Sequence, residues 1–434
     1  MEVGRDSNAV SGGRFLEGDL PEWFLFELLH RLPVKDVLRF QSVSKQWRSL
    51  ISEHSFPDSY ISRLPFSERR PFIFHPSKNQ VIDGDDGIRS KYPEGHFLTL
   101  PTPKIKASKS RGPGYYFRTL GIDKGFLLVC WLVTVSGELS DYTIYSGGFH
   151  ICSGTTHQRL SLPPLPPDSS FTKEGVCFIA QVNESRKVLT SFKVIVLDSI
   201  PLNGCFVVNI FSSETGRWEL IRVPFQGPTT LILHSRRPVV LNNTIYWVTN
   251  ERLNHGSSLG NVQSKILAYD PHVDPDHFRI IEFPIDYEHP NPPNASNEWL
   301  FFDSKCGVCQ GRLKYFKKNE EKGREKTWLK VWELQDDGNS WCLQHTIKFD
   351  DVVDGDGRIQ SPIRIWKVVS CHPSDPNVMY LDLGREMGMV SFNILTKKFE
   401  QVGPHIFFDD LFVVEIPPWP FSIPPSLMSV GDHE

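Results

Sequence analysis

The chain has 434 residues, a net charge of -4, 23% charged residues and 39% hydrophobic ones. That balance supports a sizeable core and argues against a broad nucleic-acid footprint, which needs a basic excess. The longest apolar run, Phe126 to Val133, is far short of the ~20 residues a membrane helix needs, Met1 to Phe15 lack the apolar stretch of a secretory signal, and 8 scattered cysteines make no disulfide scaffold. The expectation is a reduced protein of the cytoplasm, the nucleus or both, with no membrane or nucleic-acid partner.

Residues 1–18 are polar and glycine-bearing and read as a disordered leader. Residues 19–56 read as a helical module. Asp19 is a cap, Glu22 sits three residues later as in a capping box, Pro21 fits the first turn, and Pro33 stops the helix. A second short helix spans Val34 to Phe40. A third follows Ser42 or Ser44 and carries Trp47, Leu50 and Ile51. Three short helices make a small core. Yet the first carries Leu20, Trp23, Phe24, Leu25, Phe26, Leu28, Leu29 and Leu32. That arc is wider than one small core covers, and the surplus predicts a docking partner. Residues 57–70, with Pro57 and Pro65, read as a stiff linker.

From 71 to 416 the texture changes to short apolar runs between turns rich in Gly, Pro, Asn and Asp, as many short strands require. One unit, Asn209 to Pro224, reads as strand, turn, anchor (Trp218), strand and proline. The same grammar recurs, with anchors Phe97, Arg159, Trp218, Phe278, Trp341 and Phe399 at intervals of about 60 residues. Such a unit fits four strands plus a long loop. One twisted sheet cannot bury both its faces alone, whereas a ring of sheets buries each against its neighbours. The prediction is an all-α three-helix module followed by an all-β propeller of about six blades, with six or seven allowed. A β-sandwich is the alternative, but sandwiches enforce no single period. Residues 417–434 form a proline-rich tail, with Pro417-Pro-Trp-Pro-Phe421 favouring extended structure across the last blade.

Chemical motifs are weak. Gly256-Ser-Ser-Leu-Gly260 has a nucleophile-elbow pattern but sits in a polar loop rather than between strand and helix. Cys306-Gly-Val-Cys309 lacks two further zinc ligands at a recognised spacing, so buried thiols are the simpler reading. The acidic stretches at Asp83 to Asp86 and Asp350 to Gly357 lack the ligand order of a calcium loop. Lys104 to Arg111 reads as a flexible basic loop and Lys317 to Lys326 as a solvated hairpin tip. No catalytic residue, metal or cofactor is expected.

The helical module resembles an F-box. The resemblance rests on Leu20-Pro21, Glu27-Leu28-Leu29, Arg31-Leu32-Pro33-Val34-Lys35, Leu38-Arg39-Phe40, Val43-Ser44-Lys45-Gln46-Trp47-Arg48 and Leu50-Ile51, without a gap. The β region is similar to the F-box-associated, kelch-like domain of plant members, most clearly at Glu214-Thr-Gly-Arg-Trp218. Trp23 stands where the family usually has an acidic residue, and Phe24 and Phe26 replace smaller aliphatics; all three raise the apolar surface. The resemblance implies a non-catalytic substrate receptor of an SCF-type (Skp–cullin–F-box) ubiquitin ligase. The F-box would dock a Skp-type adaptor, and through it a cullin, while the propeller holds a target protein. Leu20, Pro21, Leu28, Leu29, Leu32, Pro33, Leu38, Val43 and Trp47 would build the box or touch the adaptor. Target contacts are expected in loops 103–114, 250–263, 286–298 and 350–361. The rivals are a non-degradative adaptor-bound protein and, remotely, a propeller enzyme.

Overall fold

The computed structural model describes residues 21–53, 55–63, 72–74, 114–136, 141–153, 158–166, 169, 175–197, 204–225, 231–233, 237–251, 263–284, 304–320, 327–349, 365–385, 387–403, 405, 412–414 and 419–428. The chain divides into two units, Met1–Glu68 and Arg69–Glu434.

The first unit contains α1 (Glu22–Leu29), α2 (Val34–Phe40), α3 (Lys45–Ile51) and α4 (Ser55–Arg63). Helices α1 and α2 each begin behind a proline held at nearly the same dihedrals, φ -58 and ψ 142 at Pro21 and φ -57 and ψ 142 at Pro33. These prolines are the N-cap residues themselves, and their carbonyls accept the first helical bonds from Phe24 and Asp36, both at 2.9 Å. The expected cap Asp19 lies outside the described residues. Ser44, not Ser42, caps α3, its hydroxyl accepting from Trp47 N at 3.2 Å.

Four helices stand where three are expected. Pro57 lies in the first turn of α4, where a missing N–H costs nothing. Helix α4 supplies the aromatic half of the core. Phe56 packs edge-on against Phe26 at 5.4 Å and beside His30 at 4.9 Å. The Tyr60 hydroxyl donates to Leu32 O at 2.7 Å, satisfying a carbonyl in the α1–α2 turn. Leu25, Leu29, Val37, Leu50 and Ile51 complete this buried set.

In the second unit β1 (Phe72–Phe74) pairs with β23 (Phe412–Val414), joining an early strand to a late one. Between them lie five antiparallel sheets. The first is β2 (Gly114–Asp123), β3 (Phe126–Ser136), β4 (Asp141–Ser153) and β5 (Arg159–Ser161). The second is β6 (Val176–Asn183), β7 (Val188–Leu197), β8 (Cys205–Ser212) and β9 (Arg217–Pro224). In the third, β10 (Leu231–Leu233) and β11 (Val239–Leu241) lie along one edge of β12 (Thr244–Glu251) as a single interrupted strand, followed by β13 (Gln263–Asp270) and β14 (Asp274–Glu282). The fourth is β15 (Ser304–Cys309), β16 (Arg312–Glu320), β17 (Thr327–Leu334) and β18 (Trp341–Lys348). The fifth is β19 (Lys367–Cys371), β20 (Val378–Asp382), β21 (Met389–Asn393) and β22 (Phe399–Gly403).

Each hydrophobic cluster joins one sheet to the next: first to second, second to third, third to fourth, fourth to fifth. A smaller one links the fifth sheet to Val413 of β23. Serial packing of this kind is the radial arrangement of a propeller rather than two faces of a sandwich. First strands are largely buried, as in β6 and β19, whereas the fourth strands β9, β14 and β18 are the most exposed, so they form the rim.

The prediction of about six blades is corrected to five among the described residues. Five of the six anchors fall one per sheet, each on its fourth strand: Arg159 on β5, Trp218 on β9, Phe278 on β14, Trp341 on β18 and Phe399 on β22. Thus the repeat length is right and the count is not. The sixth unit rested on Phe97, which lies outside the described residues. Among the described residues the only additional sheet is the β1–β23 pair, three residues per strand, too short for a blade.

Candidate functional site

The surplus apolar surface of the helical unit is concentrated in the first turn of α1. Trp23 is 68% and Phe24 41% exposed, with their rings edge to face at 5.9 Å. Val43, between α2 and α3, is 53% exposed. Leu29 is fully buried and belongs to the core. Leu28, Leu32, Leu38 and Trp47 are half-buried, and Pro21 and Pro33 are exposed. Trp47 leans on Phe40 at 4.6 Å. Leu20 lies outside the described residues. Phe56 and Tyr60 were missed as core residues because α4 was not expected: it runs across the boundary drawn between the helical module (19–56) and the linker (57–70). Charge is a minor feature here: Arg63 pairs with Glu27 at 2.7 Å and lowers the carboxyl's pKa, but both are exposed.

Topology assigns the candidate propeller loops to one face. In an antiparallel meander, the connections before the first strand, between the second and third, and after the fourth leave from one end. The other end carries tight turns. Lys124-Gly125, Asn242-Asn243 and Gln310-Gly311 all have positive φ at both residues, as two-residue hairpins of the right twist require. Loops 103–114, 250–263, 286–298 and 350–361 attach at the first end, before β2, between β12 and β13, before β15 and before β19. Equivalent ends of radially repeated sheets share a face. The interiors of these loops lie outside the described residues.

The blade anchors differ in what they do. The indole N–H groups of Trp218 and Trp341 donate, both at 2.9 Å, to Pro163 O and Glu282 O of the preceding sheet's end. Phe278 packs on Phe206 of the second sheet at 5.0 Å. Phe399 is buried between the fourth and fifth sheets. Arg159 instead donates to the His150 ring at 3.0 Å. Burial, with help from Arg159, lowers the His150 pKa to about 4, so the neutral ring accepts.

Gly256 to Gly260 and both acidic stretches lie outside the described residues, as does Lys104 to Arg111. Cys306 and Cys309 are buried on β15. The Cys371 thiol donates to Val308 O at 3.2 Å. Its hydrogen bond with Cys309 lowers the Cys309 pKa and raises its own. No group of three or more His, Cys, Asp and Glu able to hold a metal occurs among the described residues. Of the tip expected over Lys317 to Lys326, residues 321–326 lie outside the described residues, while Lys317 and Lys318 belong to β16 and are buried, the Lys318 ammonium donating to Ile365 O at 3.0 Å. No helix among the described residues is long and apolar enough to cross a membrane.

An F-box domain model matches residues 19–59. A family model described as "F-box protein At3g26010-like, beta-propeller" matches residues 128–414. Among curated relatives, the putative F-box protein At3g23970 of Arabidopsis thaliana is 26% identical over 88% of this chain and 86% of its own length. The putative F-box/kelch-repeat protein At4g22430 of the same plant is 24% identical, covering 91% of this chain and 83% of that protein. Arabidopsis F-box protein At3g26010 is 24% identical over 87% of this chain and 77% of its own length. A solved Penicillium chrysogenum α-L-arabinanase aligns at 10% identity and a TM-score of 0.35, covering 64% of this chain and 78% of that one; a likeness so slight carries no argument. With helices, serial sheets and both matches in agreement, the chain belongs to the F-box protein At3g26010-like beta-propeller family and carries an F-box domain at its N-terminal end.

Proposed function

We propose that this protein is the substrate-recognition subunit of an SCF-type ubiquitin ligase, docking a Skp-type adaptor, and through it a cullin, by its F-box. The observation that carries the reading is the exposed Trp23, Phe24 and Val43 on a unit whose core is already filled by Leu25, Leu29, Val37, Leu50, Ile51, Phe56 and Tyr60. Apolar side chains left over from a complete core stabilise a complex when a partner covers them. The target binds the propeller face from which loops 103–114, 250–263, 286–298 and 350–361 leave. The receptor supplies proximity between target and ubiquitin-conjugating enzyme and performs no chemistry.

The test is reconstitution with adaptor, cullin and conjugating enzyme, together with proteins that co-purify with the propeller. Ubiquitin transfer to such a protein, dependent on the F-box, supports the reading. Adaptor binding with no transfer to any bound protein would favour a non-degradative role.

A further inference from the structure

The segment Trp419–Met428 is held against the first two sheets in the manner of a bound peptide. Ser422 bridges Val188 in parallel. Its N–H donates to Lys187 O at 3.0 Å, and its carbonyl accepts from Leu189 N at 2.9 Å. Gln158 brackets the next residue: its side-chain oxygen accepts from Ile423 N at 2.8 Å, and its amide donates to Ile423 O at 3.2 Å. The Ser153 hydroxyl donates to Phe421 O at 3.4 Å. Phe421, Ile423 and Leu427 are buried in the cluster between these sheets, with Phe421 at 6.4 Å from Phe126. The expectation that the tail crosses the last blade is therefore corrected: these residues lie on the first and second.

The contacts have two properties of a recognition groove. All the polar ones named go to the main chain of the segment, and Gln158 pairs with both its N–H and its C=O, as a neighbouring strand would. The side chains at alternate positions 421 and 423 then enter an apolar pocket. Strand addition with alternate pockets is a recurring way to read extended peptides. The contacting residues flank the β2–β3, β4–β5 and β6–β7 connections, at the end opposite the candidate target loops.

We propose that this groove is a docking site for an extended peptide with apolar side chains at alternate positions, filled here by the chain's own residues 419–428, which a partner segment of the same pattern displaces. The site does not depend on adaptor docking.

The experiment uses the full chain carrying Ile423→Asp and Leu427→Asp, which releases the segment while leaving the groove unaltered. The probe is a fluorescent peptide with the sequence of residues 419–428. The folded double variant should bind it saturably. The parent chain should bind at least about tenfold more weakly, because its own segment competes at high effective concentration. Adding Gln158→Ala to the double variant should weaken binding about tenfold, as loss of two main-chain hydrogen bonds predicts. No binding by a variant that keeps its circular dichroism, equal binding by the parent, or equal binding of a peptide with aspartate at the 421 and 423 positions would overturn the proposal. If the double variant does not fold, amide exchange in the parent decides. Exchange of Leu189, Ser422 and Ile423 faster than that of β8 supports a detachable segment; exchange only with global unfolding overturns it.

Discussion

Trp218, on the rim strand of the second sheet, donates its indole N–H to Pro163 O, just past the last strand of the first sheet, at 2.9 Å. Trp341, on the fourth sheet, makes the same bond to Glu282 O of the third, two sheets further along. In both cases the ring also fills space between sheets: Trp218 lies 5.7 Å from Phe149, and Trp341 lies 6.4 Å from Phe283. The repeat is therefore a repeated joint. Trp218→Phe keeps much of the packing and loses the hydrogen bond, so it should cost about 1 kcal/mol in chemical denaturation. Trp218→Ala should cost about 3 kcal/mol, at the low end for tryptophan because the ring is only half-buried.

Phe56 and Tyr60 should be as necessary to the helical unit as any residue of α1. Phe56→Ala removes a fully buried ring and should cost about 3–5 kcal/mol. Tyr60→Phe leaves Leu32 O without its 2.7 Å donor and should cost about 1 kcal/mol. Exchange protection of the α1 amides reads both; unchanged protection in Phe56→Ala would mean that α4 is not part of the core.

His150 should make stability fall with acid. Its pKa is lowered to about 4 in the folded chain, against ~6.5 when unfolded. The unfolded state then binds more protons between those values, so stability is full above the unfolded pKa and declines as pH falls toward the folded one. Unfolding midpoints from pH 7 to 4 should slope less in His150→Gln, and an identical slope would assign the acid sensitivity elsewhere.

The thiols should sort by burial. Cys342 is exposed and Cys205 half-buried, while the other six are buried. Burial also pushes the Cys130 pKa up to about 12 and the Cys152 pKa up to about 11. A thiol reagent should label Cys342 first in the native chain and the six buried cysteines only on unfolding. Rapid native labelling of Cys306 or Cys309 would contradict their placement on a packed strand.

Much of the fold was legible because two kinds of pattern are local. Pro33 between α1 and α2 and the serine before α3 mark helix bounds in sequence, although the start of α1 was assigned to Asp19 rather than to Pro21. The strand–turn–anchor grammar marks one sheet per period, and Arg159, Trp218, Phe278, Trp341 and Phe399 do fall one per sheet. The blade count was not legible, since the copy at Phe97 matched the grammar without a sheet among the described residues to go with it. Helix α4 was hidden because Ser55-Phe-Pro57 reads as a break, although proline is tolerated in a first turn. Which F-box residues face inward was equally hidden. Leu28 and Leu29 are adjacent and chemically identical, and only the placement of α1 against its neighbours separates half-buried from buried. The seat of residues 419–428 depends on Gln158 and Leu189, more than two hundred residues away in the chain, and no local pattern announces it.

The most direct measurement is a titration of the purified protein with a Skp-type adaptor, in the parent chain and in a Trp23→Asp, Val43→Asp variant. Both positions are mostly exposed, so the variant should keep its unfolding free energy within about 0.5 kcal/mol of the parent's. Saturable binding by the parent, weakened at least about a hundredfold in the variant, is the result this account predicts, as loss of a central apolar contact implies. Binding of equal strength by both chains, or none by the parent to any adaptor tried, would contradict it.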